Sequence, residues 1–201
     1  MATLSKYTTG FAANMFDAVW AQGGVQGEWI PDPSTRYALE GGFSAEPTAL
    51  FGGVPVTASI AAKGLMQNGP TLVKATATAN IDGFIIASKM YHAVVEAQDT
   101  APQVAKGDAV HFARIGSRVR LYVQVDPAFA ETLFGAASDT ALGFDLVAQK
   151  LTAQSTTVAT TVNLPAGVIV ESVFENGIIL NYSTANDTVT YGTGPVAVIR
   201  L

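Results

Sequence analysis

The chain has 201 residues, 11 Lys and Arg against 16 Asp and Glu, a formal net charge of −5, and 13% charged against 49% apolar residues. Soluble proteins carry about twice that share of charge; here Ala, Thr, Val and 19 Gly stand in its place, so the surface is largely neutral. These figures exclude intrinsic disorder, which needs low hydrophobicity and high net charge, and phosphate-neutralising nucleic-acid binding, which needs a basic excess. With no Cys, they also exclude disulfides, thiolate metal sites and cysteine nucleophiles. A neutral surface favours association, so a covering partner is expected.

Residues 1–50 read as an extended N-terminal arm with one short helix. Met1 to Gly10 holds one Lys and lacks the apolar core of a secretory signal. From Gly10 to Gln22 the residues Phe11, Met15, Ala18, Val19 and Gln22 recur at helical spacing, and Gly23-Gly24 supplies a stop. Both tryptophans, Trp20 and Trp29, lie in the arm, and Pro31, Pro33 and Gly41-Gly42 break any longer element. The arm holds Lys6 and Arg36 against Asp17, Glu28, Asp32, Glu40 and Glu46, a net of −3. No run in the chain approaches the length of uninterrupted apolar sequence that a membrane-spanning helix needs, and no membrane partner is expected.

Residues 51–151 change to a period of two and read as a β-barrel or β-sandwich body. Val54 to Ile60, Thr71 to Ala77, Gly83 to Ala87 and Tyr91 to Glu96 are candidate strands, rich in β-branched residues. From Arg118 to Val125, Val119, Leu121, Val123 and Val125 alternate with Arg118, Arg120, Tyr122 and Gln124, the pattern of a half-buried strand. Gly116-Ser117 separates it from Ala109 to Ile115, which predicts an antiparallel hairpin. Pro127 to Lys150 has no clear period, and Ala128 to Phe134 fits a helical turn or a loop.

Residues 152–201 read as an additional β-rich module. Thr156 to Asn163 alternates, Pro165-Ala166-Gly167 marks a turn, and Asn176-Gly177 predicts a hairpin between Val168 to Phe174 and Ile178 to Ser183. Gly192 to Pro195 predicts a further turn between Thr188 to Tyr191 and Val196 to Arg200. About 200 residues accommodate one domain with an appended module or one large barrel. The fold class is mainly β on either reading.

The sequence carries few patterns that chemistry requires. The two histidines, His92 and His111, have no HxH, HExxH or carboxylate cluster beside them, so no metal ligation is expected. A GxSxG elbow and a Walker pattern are both missing, and Gly23 to Gly27 lacks the strand-then-helix context of a phosphate cradle. Asp82, Asp99, Asp108 and Asp126 border candidate strands, where a carboxylate accepts backbone N–H bonds in turns. No catalytic residue and no cofactor is expected. Arg114, Arg118 and Arg120 gather within seven positions. They fit a solvated, edge-protecting face or a cluster pairing with carboxylates on another chain.

Several segments in order carry a family resemblance: Thr9 to Asp17 (TGFAANMFD), Ala49 to Val56 (ALFGGVPV), Ile81 to Ile86 (IDGFII), Ala105 to Val110 (AKGDAV), and Phe112 to Val123 (FARIGSRVRLYV). This order resembles the structural cement, or capsid decoration, proteins of tailed bacteriophages. The likeness covers most of residues 8–126; after Pro127 the sequence departs from it, with a longer insert and the extra β-rich block. The resemblance implies a barrel-like body on the outer surface of the virion's icosahedral capsid, a homo-oligomer with a trimer preferred over a dimer, and the major capsid protein as partner. It implies stapling of neighbouring capsid subunits and no catalysis. Phe11, Met15, Phe16, Trp20, Trp29, Arg114, Arg118 and Arg120 are then the candidate capsid or subunit contacts. A carbohydrate- or receptor-binding β-domain, with Trp20, Trp29 and Tyr91 as stacking faces, and a tail or fibre-base subunit are the alternative readings.

Overall fold

The computed structural model describes residues 24–30, 32–35, 37–63, 67–76, 80–87 and 101–201. The predicted helix at 10–22, the strand at 91–96, and Phe11, Met15, Phe16, Trp20, Tyr91, His92 and Asp99 lie outside the described residues.

The protein is mainly β and is built on a closed five-stranded barrel. The barrel strands are β2 (Leu39–Ser44), β4 (Pro55–Ser59), β5 (Thr71–Lys74), β6 (Gly83–Ile85) and β8 (Ala109–Arg114), in the order β2-β5-β4-β6-β8. Every join is antiparallel except β2 to β5, a short parallel seam pairing Phe43 with Thr71 and Ser44 with Leu72. Two minor strands, β3 (Leu50–Phe51) and β7 (Gln103–Val104), pair beside it.

A second sheet holds β1 (Trp29–Ile30), β9 (Arg120–Gln124), β14 (Thr188–Arg200) and β13 (Ile169–Ser183), in the order β1-β9-β14-β13. A third contains β11 (Lys150–Ala153), β10 (Leu142–Asp145) and β12 (Thr161–Asn163). Among the described residues there is one α-helix, α1 (Pro127–Leu133). Asp126 caps it through Oδ1, which accepts the Ala128 and Phe129 N–H groups at 3.0 and 3.2 Å. Pro127 at its first position loses only an N–H that the first helical turn leaves unbonded anyway.

Alternation lets the barrel wall serve two cores. Ile85, Val110 and Phe112 join Phe51, Val56 and Leu72 in one buried cluster. The intervening Phe84, Ile86 and Ala113 turn outward into a second cluster with Leu121, Val123, Phe144, Leu151 and Ile199. There the Phe84 and Phe144 rings meet edge to face, 5.8 Å apart. Burial on both faces explains why Gly83 to Ile86 reads as an unbroken apolar run rather than an alternating one.

Most described strands appear where β-branched alternation predicts them, but of the alternating run Thr156 to Asn163 only β12 pairs, Thr156 to Thr160 lying in bend and turn, and two predicted hairpins do not form. β8 and β9 are consecutive yet unpaired: β8 lies between β2 and β6, and β9 between β1 and β14. Gly116 (φ +91°) and Arg118 (φ +61°) turn the chain through a corner from one sheet to the other, and Ser117 N–H bonds the Arg114 carbonyl at 3.1 Å. The corner is fixed from the far end of the chain, by Arg118 N–H to Leu201 O and Leu201 N–H to Val119 O, at 2.7 and 2.9 Å.

Asn176-Gly177 likewise sits inside β13, and Gly192 to Pro195 inside β14. The two strands form one long ribbon, closed by the turn at 184–187, with register shifts between Val170 and Ser172 and between Phe174 and Gly177. The second bulge lies opposite Pro195, which has no N–H to donate; a mid-strand proline is tolerated at such an irregularity. Strand pairing also crosses the segment divisions suggested at 50/51 and 151/152. β2 belongs to the barrel, and β14 pairs with β9 from Val196↔Gln124 to Arg200↔Arg120.

Candidate functional site

The arginine cluster is built on the corner between β8 and β9. Arg114 leaves the end of β8, and its Nε donates to both carboxylate oxygens of Glu40 at 2.7 and 2.8 Å. Its guanidinium lies 5.2 Å from the Phe112 ring centroid. Arg120, on β9, reaches Asp32 at 3.3 Å and Glu171 at 3.6 Å, and Glu171 also meets Arg200 at 3.6 Å. The Ser34 hydroxyl and N–H, with Arg120 beyond them, hold the Asp32 carboxyl below its usual range. Arg118 does not share the Arg120 face: its left-handed backbone sets it on the corner itself, exposed, with no ion pair to any of the described residues. The structure thus directs Arg114 and Arg120 toward carboxylates of their own chain and leaves Arg118 facing solvent. Trp29 is half-buried against the core and pairs with Leu121 across β1 and β9.

A second constellation lies where the ribbon meets the barrel, and the sequence offers no short motif for it. Leu180 and Val189 bury in the barrel's cluster. In the ribbon turn, Asp187 (φ +49°) accepts Ala49 N–H and the Tyr182 hydroxyl through Oδ1, both at 2.8 Å. Those two bonds, with Lys74 further off, hold the Asp187 carboxyl below its usual range. Lys74 Nζ lies 4.4 Å from the Tyr182 ring centroid and donates to Thr48 Oγ1 at 2.7 Å. Glu46 accepts Lys74 N–H at 2.9 Å and the Thr48 hydroxyl at 3.1 Å. Burial lowers the Lys74 pKa, against the pull of Glu46 and Asp187. Burial, with the bond to Asp187, raises that of Tyr182. The arrangement is a clasp: each polar atom named is satisfied by another member or by backbone.

The third junction is the segment from Gly24 to Ile30. Gln26 is fully buried; its Nε2 donates to Gly52 O at 3.2 Å, its Oε1 accepts Leu180 N–H at 2.8 Å, and its own N–H bonds Ile178 O at 2.8 Å. The glycines around it permit contact that a side chain would block: a Cβ on Gly24 would lie 2.2 Å from the Tyr122 ring. This is the role of the glycine-rich run that fits no phosphate cradle.

His111 is half-buried in β8, and no group of three or more His, Asp or Glu side chains among the described residues is placed to hold a metal ion. Asp82 accepts Ala58 N–H across strands at 2.7 Å, and Asp108 accepts Ala105 N–H in a turn at 3.3 Å. No protein-family model, curated protein or solved structure matches the chain.

Proposed function

We propose that the chain is a non-enzymatic structural protein of a phage virion, which binds the outside of the icosahedral capsid and staples neighbouring major capsid subunits. The observation that carries this reading is where the resembling segments fall. Ala49 to Val56 supplies β3 and the start of β4, Ile81 to Ile86 supplies β6, and Ala105 to Val110 with Phe112 to Val123 supplies β8 and, past the corner, β9 of the second sheet; β4, β6 and β8 are three successive strands of the closed barrel. Much of the resembling sequence thus lies in neighbouring barrel strands, which supports the reading. A neutral exterior suits a body covered by neighbours, and a protein that binds only the assembled shell stabilises it by mass action without turnover.

On this reading the protein acts as a homo-oligomer, with a trimer preferred over a dimer. Arg118 at the exposed corner and Phe11, Met15, Phe16 and Trp20 of the arm are the contacts to capsid or sister subunits. Cryo-electron microscopy of the virion tests the proposal: density for this chain is expected over the capsid lattice, and density confined to the tail overturns it. Removing residues 1–23 should abolish attachment while sparing Gln26, β1 and β2. A truncated chain that folds and still decorates capsids would transfer the binding role to the barrel.

A further inference from the structure

The sequence contains the dipeptide Asn-Gly twice, at Asn68-Gly69 and at Asn176-Gly177, and the structure places the first in a bend and the second inside a strand. Asn176 is exposed, but its neighbour Gly177 is buried in the ladder, in register with Gly194; a Cβ there would lie 2.1 Å from Val196 Cγ2. Asn68 lies exposed in the bend between β4 and β5, outside any strand. Gln67 Nε2 donates to the Gly69 carbonyl at 3.2 Å and to Thr71 Oγ1 at 2.8 Å. Those bonds hold the Gly69 carbonyl; Gly69 itself is half-buried beside β2, where a Cβ would lie 2.7 Å from the Gly41 carbonyl oxygen, but it belongs to no strand.

From this contrast we propose that Asn68 is a site of spontaneous covalent modification, converting to aspartate and isoaspartate, while Asn176 is protected by the fold. The Gly69 backbone nitrogen, losing its proton, attacks Asn68 Cγ. A Cγ–N bond forms, the Cγ–Nδ2 bond breaks, and Nδ2 leaves as ammonia with the proton. Water then opens the five-membered imide at either carbonyl, giving aspartate or isoaspartate. Glycine permits this closure because no Cβ shields its nitrogen. At position 177 the same closure requires the ribbon to open first, and strand opening carries a free-energy cost that a surface bend does not. The product places a new carboxylate two residues from Pro70, whose carbonyl accepts Phe43 N–H at 2.9 Å beside the barrel's parallel seam.

The test is peptide mapping by mass spectrometry of the full-length native chain, aged in mildly alkaline buffer and sampled over time, beside a urea-unfolded control. The tryptic peptide 64–74 carries Asn68. The expected result is a gain of about 1 Da at Asn68, at least about tenfold faster than at Asn176 in the native chain, with the two rates converging in urea. The early gain disappears in an Asn68→Gln variant of unchanged thermal midpoint. Conversion at Asn176 as fast as at Asn68 in the folded protein overturns the proposal. So does an Asn68 that stays intact natively over the time in which the unfolded chain converts.

Discussion

Gly27 and Gly52 pack backbone to backbone: a Cβ on Gly27 would lie 2.2 Å from the Gly52 Cα, and Gly27 itself has φ +81°. The contact seats Gly24 to Glu28 against both the barrel and the second sheet, with Gly27 N–H on Tyr122 O and Ala87 N–H on Gly27 O, both at 2.7 Å. Gly27→Ala should therefore destabilise the protein by about 2–4 kcal/mol through steric overlap and left-handed strain. Urea unfolding measures it, and an unchanged midpoint would show that the two backbones are not in contact.

Gln26→Ala should cost a similar amount, about 2–4 kcal/mol, because it leaves buried donors and acceptors unpaired and opens a void. The Leu180 amide is the local reporter. Its hydrogen exchange should accelerate in the variant more than that of Val123, and equal acceleration at both would contradict a specific role for the Gln26 bond.

The Asp187 clasp sets an acid limit. Because the folded-state pKa is depressed, first by Ala49 N–H, then by the Tyr182 hydroxyl, the charged group contributes stability above its ordinary value of 3.8. That contribution falls away as pH drops through the lower folded value. Asp32, depressed by Ser34, acts in the same window. Asp187→Asn keeps an acceptor oxygen but no charge, so its stability should fall less steeply in acid than that of the parent. Parallel acid limbs in denaturation curves against pH would remove Asp187 from the effect.

Arg120 bridges Asp32 and Glu171 on a half-exposed surface, where ion pairs contribute little. Arg120→Ala should cost no more than about 1 kcal/mol, and the difference should shrink in high salt. A larger, salt-independent loss would mean that packing of the side-chain stem outweighs the charges.

Arg118 is held at φ +61°, where a side chain is strained. Arg118→Gly should leave thermal stability unchanged or raise it by up to about 1 kcal/mol, and Arg118→Val should lower it by about 1–2 kcal/mol. The opposite order in a melting series would show that the corner is not left-handed.

Much of the β content was legible from residue spacing. Val119, Leu121, Val123 and Val125 alternate, and all four are fully buried; Val56, Phe84 and Phe112 likewise fall on strands. Less legible were β10 and β11, whose short apolar segments flank the turn at 146–149 without a strong period. Gln26, Lys74, Tyr182 and Asp187 were missed as partners because their contacts join residues far apart in sequence. Glu40 and Asp32 as the carboxylates facing Arg114 and Arg120 escaped for the same reason.

Composition and period alone determined that this is a mainly β chain with a neutral surface, because side-chain alternation is a local property that every two successive residues express. Only the tertiary structure decided which strands pair. Gly116-Ser117 and Asn176-Gly177 are compatible with tight hairpins, yet the first became a corner and the second a bulge. β8 fills the barrel between β2 and β6, and a continuous β13 lets one ribbon bury Leu180 and Val189 in the barrel and supply Ile199 to the neighbouring core. A turn signal states that the chain can reverse there. Whether it does depends on the apolar area that the alternative pairing removes from water, and that sum runs over residues a hundred positions apart.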